Sequence, residues 1–308
     1  MTPADYTVEI RSTLDGSMQR AMFVPRPPGA GPVPLLVALH QWSHGYDVPG
    51  WEVYEQVTRE RGWVVIHPDF RGENVRPQAC ASELAVRDVL DAVAYACERA
   101  RIDRRRIYLT GVSGGGFMSM VMAHRAPRLW AAVSAWAGIS DLAAWHEHCR
   151  RVGRKYASHL EAVCGGPPGD PAADAQYRAR SPIHHLAWAR GLPFDICTGI
   201  HDGHTGSVPV SHTLRAFNVL AVANGCPQAV VSDADIQHMV QHRSVPPALA
   251  FNGEQEPRRN RVLFRRQAGP ARVTIFEGGH EIDEPTAVAW LSGFQRSEEP
   301  SLNPDRVA

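Results

Sequence analysis

The stretch RIYLTGVSGGGFMSMVMAHRA, residues 106–126, constrains the fold of this chain more than any other. An apolar, strand-forming run (residues 107–110) leads almost without a connection into a helix-period segment. The joint is Ser113, with Gly111 two residues before it and Gly114, Gly115 and Gly116 directly after. Glycine loses more backbone freedom on folding than any other residue, so such a run is costly to order. It is either a plain turn or a place where something approaches the backbone closely. A strand that turns at once into a helix is half of a βαβ unit, and such units build parallel sheets.

The rest of the chain repeats that alternation. YTVEIRS and MQRAMFV, joined by LDGS, predict an N-terminal hairpin. PLLVALH (34–40) is a continuous apolar run with turn residues on both sides, as expected of a strand buried on both faces. GWEVYEQVTRERG predicts a helix closed by Gly62, and WVVIHPDF a strand stopped by Pro68. SELAVRDVLDAVAYACERA predicts the strongest helix, with Leu84, Val89, Val93 and Cys97 at helical spacing and Ser82 as N-cap. WAAVSAWAG, PFDICTGIH and ARVTIFEGG predict strands; SHTLRAFNVLAVANG and EPTAVAWLSGFQ predict helices, the first closed by Gly225. The pattern implies an α/β fold, a mostly parallel sheet with helices on both faces, as one domain over residues 1–295. Two segments interrupt it: 141–190, expected to be a lid insertion, and 226–262, a second insertion with a short helix and a Pro/Gly-rich loop. Residues 296–308 are a polar tail expected to be mobile.

Composition removes several classes of function. Lys+Arg and Asp+Glu are equal at 32 each, so no net field favours nucleic acid or an acidic membrane surface. No apolar run reaches the roughly 18–20 residues of a membrane span. MTPADYTVEI has neither the basic nor the apolar region of a signal peptide, so the chain as it stands reads as cytoplasmic; secretion or a periplasmic location requires a leader already removed. The six cysteines form no CxxC pair and read as buried thiols, with Cys149–Cys164 the pairing expected if the protein is exported.

GVSGG fits G-x-S-x-G, a sharp strand-to-helix turn that projects a serine above a sheet. Gly111 and Gly115 are small so that strand and helix can pack tightly beside Ser113. The N–H of Gly114, at the helix N-terminus, faces the position where an oxyanion develops. A serine nucleophile needs a base, and His280 in TIFEGGHE follows the last strand, on the sheet edge that also carries Ser113. The acid belongs after an intermediate strand. Asp202 in ICTGIHDGHTGSVP has that place, where it would hold the His280 tautomer and stabilise its imidazolium. Its rivals are Asp195 inside the strand, Asp233 and Asp235 in the second insertion, and Asp283, close to His280 in sequence. His201, Asp202 and His204 also allow a metal reading, which is the weaker one; no metal and no cofactor is expected. A second oxyanion donor should come from the strand exit LHQWSHGY, from the N–H of Trp42 or else of Gln41. His40, Trp42 and Trp145 are the candidate lining of a substrate pocket, with Trp188 a further aromatic; core packing accounts for such rings equally well.

With these residues in place the chain resembles the α/β-hydrolase superfamily, and within it the catalytic domain of prolyl-oligopeptidase-like (S9-type) serine hydrolases. The likeness rests on PDFRGEN, on the central RDVLDAVAYACERARIDRRRIYLTGVSGGGFMSMVMAHRAPRLWAAVSAWAG, on RSPIHHL, HDGHTGSVP and GGHE. In that family the serine of GxSxGG, the aspartate ahead of Val-Pro and the histidine of Gly-His are catalytic, which implies Ser113, Asp202 and His280. The chain departs from the family in three ways. Residues 1–33 are too few for the β-propeller that family peptidases carry ahead of this domain. Asp202 stands farther from Val208 than usual, and the stretch from Asp202 to His280 is long.

The function expected is a serine hydrolase acting on carboxylic esters through an acyl-enzyme, with acetyl or feruloyl esters of carbohydrates as examples. A peptidase acting on short peptides is the alternative, and a silent binding module on the same fold is a third reading. The partner expected is a small-molecule or glycan ester. The basic stretch RRNRVLFRR suits either an acidic polysaccharide or a solvated strand with charged edges.

Overall fold

The computed structural model describes residues 3–26, 29, 31–47, 50 and 52–302. Trp51, at the start of the first expected helix, and the end of the polar tail, 303–308, lie outside the described residues. The frame is a nine-stranded sheet of β1 (Thr7–Arg11), β2 (Met18–Val24), β3 (Val33–Leu39), β4 (Val64–Pro68), β5 (Ile102–Val112), β6 (Ala132–Trp136), β7 (Phe194–Gly199), β8 (Val262–Ala268) and β9 (Ala271–Phe276). Their order across the sheet is β1-β2-β4-β3-β5-β6-β7-β9-β8. The central strands, β4 through β9 in that order, pair in parallel. The hairpin β1-β2 and the strand β8 are antiparallel additions at the two edges.

Helices cover both faces, as the alternating pattern requires. The inward residues of β3 divide by parity: Leu35, Val37 and Leu39 pack in the larger core, whereas Leu36 and Ala38 pack in the smaller one. The larger core takes α2 (Glu83–Arg99), α3 (Gly114–Arg125) and α7 (Ser211–Ala223); the smaller takes α1 (Glu52–Arg61) and α9 (Glu284–Leu291). In α2, Ser82 caps the N-terminus, its Oγ accepting from the Ala85 N–H at 3.1 Å. The buried face of α2 runs through Ala85, Val86, Val89, Ala92, Val93 and Ala96. Leu84 and Cys97, expected on that face, lie half-buried at its margin. The same helix buries Asp88, which meets Arg71 at 2.6 Å and Ser12 Oγ at 2.6 Å, anchoring the turn of the β1-β2 hairpin to the sheet.

The segment 141–190 folds as α4 (Leu142–Arg151), α5 (Tyr156–Cys164), α6 (Pro171–Arg180) and two short 3-10 turns. Leu142, Trp145, Leu160, Val163 and Tyr177 from it belong to the larger core. Cys149 and Cys164 are free, buried thiols there, and burial pushes them up to about 12 and about 11. The segment 226–262 holds α8 (Asp233–His242) between two 3-10 turns and leads into β8. The basic stretch forms part of that edge strand with its charges used locally. Arg265 pairs with Glu256 at 2.7 Å, Arg266 donates to the Val230 carbonyl at 3.1 Å, and Arg258 lies 5.6 Å from the centre of the Trp136 ring. Arg296, at the head of the expected mobile tail, donates through its backbone N–H to the Arg105 carbonyl at 3.0 Å.

Candidate active site

Chain order sets where the site lies. From β3 the chain moves to β4 on one side of the sheet and from β5 to β6 on the other, so the crevice at the C-terminal ends of β3 and β5 is a topological switch point, where open α/β sheets bind ligands. Ser113 leaves β5 at this crevice with φ 59° and ψ −118°, a region that side-chain-bearing residues rarely occupy. The strain persists because the surroundings allow nothing else. A Cβ on Gly111 would come within 3.0 Å of the Gly115 backbone, and one on Gly115 within 3.0 Å of the Leu39 carbonyl. One on Gly116 would meet the Trp136 carbonyl equally closely, and one on Gly114 the backbone of Gln41 and Trp42. The glycine run is therefore pressed by the protein's own main chain, from the exits of β3 and β6. Phe117 N–H closes the first turn of α3 on the Ser113 carbonyl at 2.8 Å.

The strand ends are tied in a row along one edge. Ser113 N–H donates to Trp136 at 2.9 Å, Ala137 N–H to Cys197 at 2.7 Å, and Ile200 N–H to Phe276 at 2.9 Å. His201 N–H then reaches the Gly278 carbonyl at 3.0 Å, which joins the loop bearing Asp202 to the loop bearing His280. Asp202 Oδ2 lies 2.8 Å from His280 Nδ1 and accepts from Thr198 Oγ1 at 3.3 Å. Its Oδ1 accepts the N–H groups of Gly203 at 2.8 Å and Val208 at 3.1 Å. The carboxylate has no exposed surface, and these four donors replace the water it has lost. His280 keeps 22% of its side chain exposed. Ser113 Oγ makes no hydrogen bond among the described residues; such bonds are often long before substrate arrives.

The rivals of Asp202 are engaged elsewhere. Asp195 is fully buried against Arg272 at 2.7 Å. Asp283 caps α9 through the Thr286 N–H and accepts the Arg259 N–H at 2.7 Å. Asp233 and Asp235 lie in the first turn of α8. The residues of the metal reading face apart: His201 bonds Glu277 at 2.7 Å and His204 the Val240 carbonyl at 2.6 Å.

The expected pocket lining needs correction. His40 is buried, its ring nitrogens 2.8 and 2.7 Å from the carbonyl oxygens of Gln41 and Asp69, and it stacks on Phe70 at 3.8 Å. Trp42 and Trp145 are buried edge-to-face at 4.7 Å, and Trp145 Nε1 donates to the Ser207 carbonyl at 2.7 Å. These three rings brace the β3 exit and the 202–208 loop from within and leave almost no surface for a substrate. Trp188 is 76% exposed, but it neighbours Ala131 and Pro193, at the starts of β6 and β7, on the edge opposite Ser113. The N–H groups of Trp42 and Gln41 both lack an acceptor among the described residues. Sequence reasoning missed Thr198, Gly203 and Val208 as partners of Asp202, and also Gly206, where a Cβ would collide with both Asp202 and His280. The glycine of HTGSVP was the available signal.

The topology and this row of strand ends define an α/β-hydrolase. Residues 51–250 match the model of the prolyl oligopeptidase family, and the chain belongs to that family of serine hydrolases. It is 23% identical over 250 residues to feruloyl esterase B of Talaromyces funiculosus, covering 78% of this chain and 61% of that protein. The chain thus spans about three-fifths of that esterase's length. It is 28% identical over 152 residues to an acetylxylan esterase of Coprinopsis cinerea, covering 44% of this chain and 39% of the other. Among solved structures, an acylaminoacyl peptidase in complex with Z-Gly-Gly-Phe-chloromethyl ketone superposes with a TM-score of 0.63 at 17% identity, over 98% of this chain and 43% of the peptidase. No helix among the described residues is long and apolar enough to cross a membrane.

Proposed function

We propose that the chain hydrolyses carboxylic esters through Ser113, His280 and Asp202. The observation that carries the reading is the 2.8 Å Asp202–His280 contact, on the same sheet edge as a serine held at positive φ. Asp202 accepts a hydrogen bond from His280 Nδ1–H, which leaves Nε2 as the base. Ser113 Oγ attacks the ester carbonyl carbon and passes its proton to Nε2; the same proton goes to the departing alcohol as the carbon–oxygen bond breaks. Water, deprotonated by His280, then attacks the acyl-enzyme and releases the acid and free Ser113. The N–H groups of Gly114 and Trp42 are the proposed oxyanion donors, with Gln41 the alternative to Trp42. The likeness to feruloyl and acetylxylan esterases supports esters, and ester-linked acyl groups on a carbohydrate are the proposed substrate class.

The family match supports a second reading, a peptidase acting on short peptides. One acyl group presented as an ester and as an anilide separates the two. A kcat/KM at least about 10³-fold higher for the ester is expected, a gap of about 4 kcal/mol in transition-state binding. Comparable values on the two would favour the peptidase. Ser113→Ala should lose about 10⁶ in kcat on the ester, and retained turnover would contradict both readings.

A further inference from the structure

Beside the loop that carries Asp202 lies a cavity of about 400 Å³ between α4, α8 and the start of α7. Neither Ser113 nor His280 lines it. Arg151 and Arg215 do, and neither guanidinium has a carboxylate partner among the described residues. His212, only 4% exposed, receives the N–H groups of Ser140 and Asp141 on Nδ1 at 3.3 and 3.4 Å. Its proton is therefore on Nε2, while every hydrogen bond to the ring among the described residues is made at Nδ1 and the side chain lines the cavity. His148 repeats the arrangement: the Arg151 guanidinium donates to Nδ1 at 3.3 Å, and Nε2–H is buried without a partner. Burial holds both imidazoles neutral, His212 down to about 4, so each offers one unused donor.

The acceptors on these walls do not match the donors. Asp202 borders the cavity, but its oxygens already accept four bonds. Glu147 is exposed and forms no ion pair with either arginine. Unused N–H donors in a partly enclosed space, two of them on guanidinium groups suited to bidentate pairing, select a carboxylate.

We propose that this cavity binds a small free carboxylate, which bridges Arg151, Arg215 and His212 and braces Gly203 and His204 of the acid-bearing loop. The test is calorimetric titration of the intact protein with succinate, and with succinamide as its uncharged counterpart. Saturable succinate binding is expected, absent for succinamide and weakened at least tenfold by R151Q/R215Q, whose melting temperature without ligand should match the parent's. Absence of saturable heat up to about 10 mM succinate would overturn the proposal. So would equal binding of succinamide, or unchanged binding in R151Q/R215Q. The readout is binding alone, so it stands or fails independently of ester hydrolysis.

Discussion

Ser113 occupies its strained φ only because four glycines let the main chain of two strand exits close around it, and this makes two kinds of glycine distinguishable by experiment. Gly115→Ala would drive a methyl into the Leu39 carbonyl, which belongs to a central strand and cannot yield. The expected result is protein that fails to reach the native state, seen as loss of soluble expression. Gly153 also has positive φ but faces open space, so Gly153→Ala should cost only about 1–2 kcal/mol in chemical denaturation. Equal tolerance of both changes would contradict the packing account. At the same scale, Asp202→Asn keeps the shape of the acid but removes its charge and permits the wrong His280 tautomer. A fall in kcat of about 10⁴ with an unchanged far-UV spectrum is expected. A loss below tenfold would move the acid's role to another carboxylate.

The 202–208 loop is the element that turns separate residues into a unit. Val208 N–H folds back onto Asp202 Oδ1, which is why the long stretch between the aspartate and the Val-Pro pair still delivers a carboxylate to His280. Gly206 sits where this loop presses on both. Gly206→Ala should push acid and base apart and lower kcat about 10²-fold, while the melting temperature changes by only a few degrees. An unaltered kcat would show that the loop's closeness is irrelevant to turnover. The strands, α2 with its Ser82 cap, and the placing of Ser113 and His280 were legible because each depends on local period or turn chemistry. The interior fate of His40, Trp42 and Trp145 was not, since residue type does not distinguish a ring that lines a pocket from one that fills a core. Nor was the donor-rich cavity, whose walls bring α4 together with elements much later in the chain.

On the scale of the whole molecule, the buried histidines govern the response to acid. Burial holds His67 down to about 3 and His212 to about 4, against an unfolded value of 6.5, and His40 is lowered by the same cause. The unfolded chain therefore binds more protons between those values, and stability falls as pH falls. The contribution is complete above about pH 6.5 and is lost on descent toward the folded values, at up to about 1.4 kcal/mol per pH unit for each group. The urea midpoint should drop between pH 7 and pH 5, and a constant midpoint would contradict this burial. The central claim, that the sheet edge assembles an activated serine, is tested most directly by fluorophosphonate labelling followed by intact mass and peptide mapping. One adduct per chain is expected, on Ser113, and its loss in His280→Ala. Folded protein that takes no adduct, or takes it equally without His280, would contradict it.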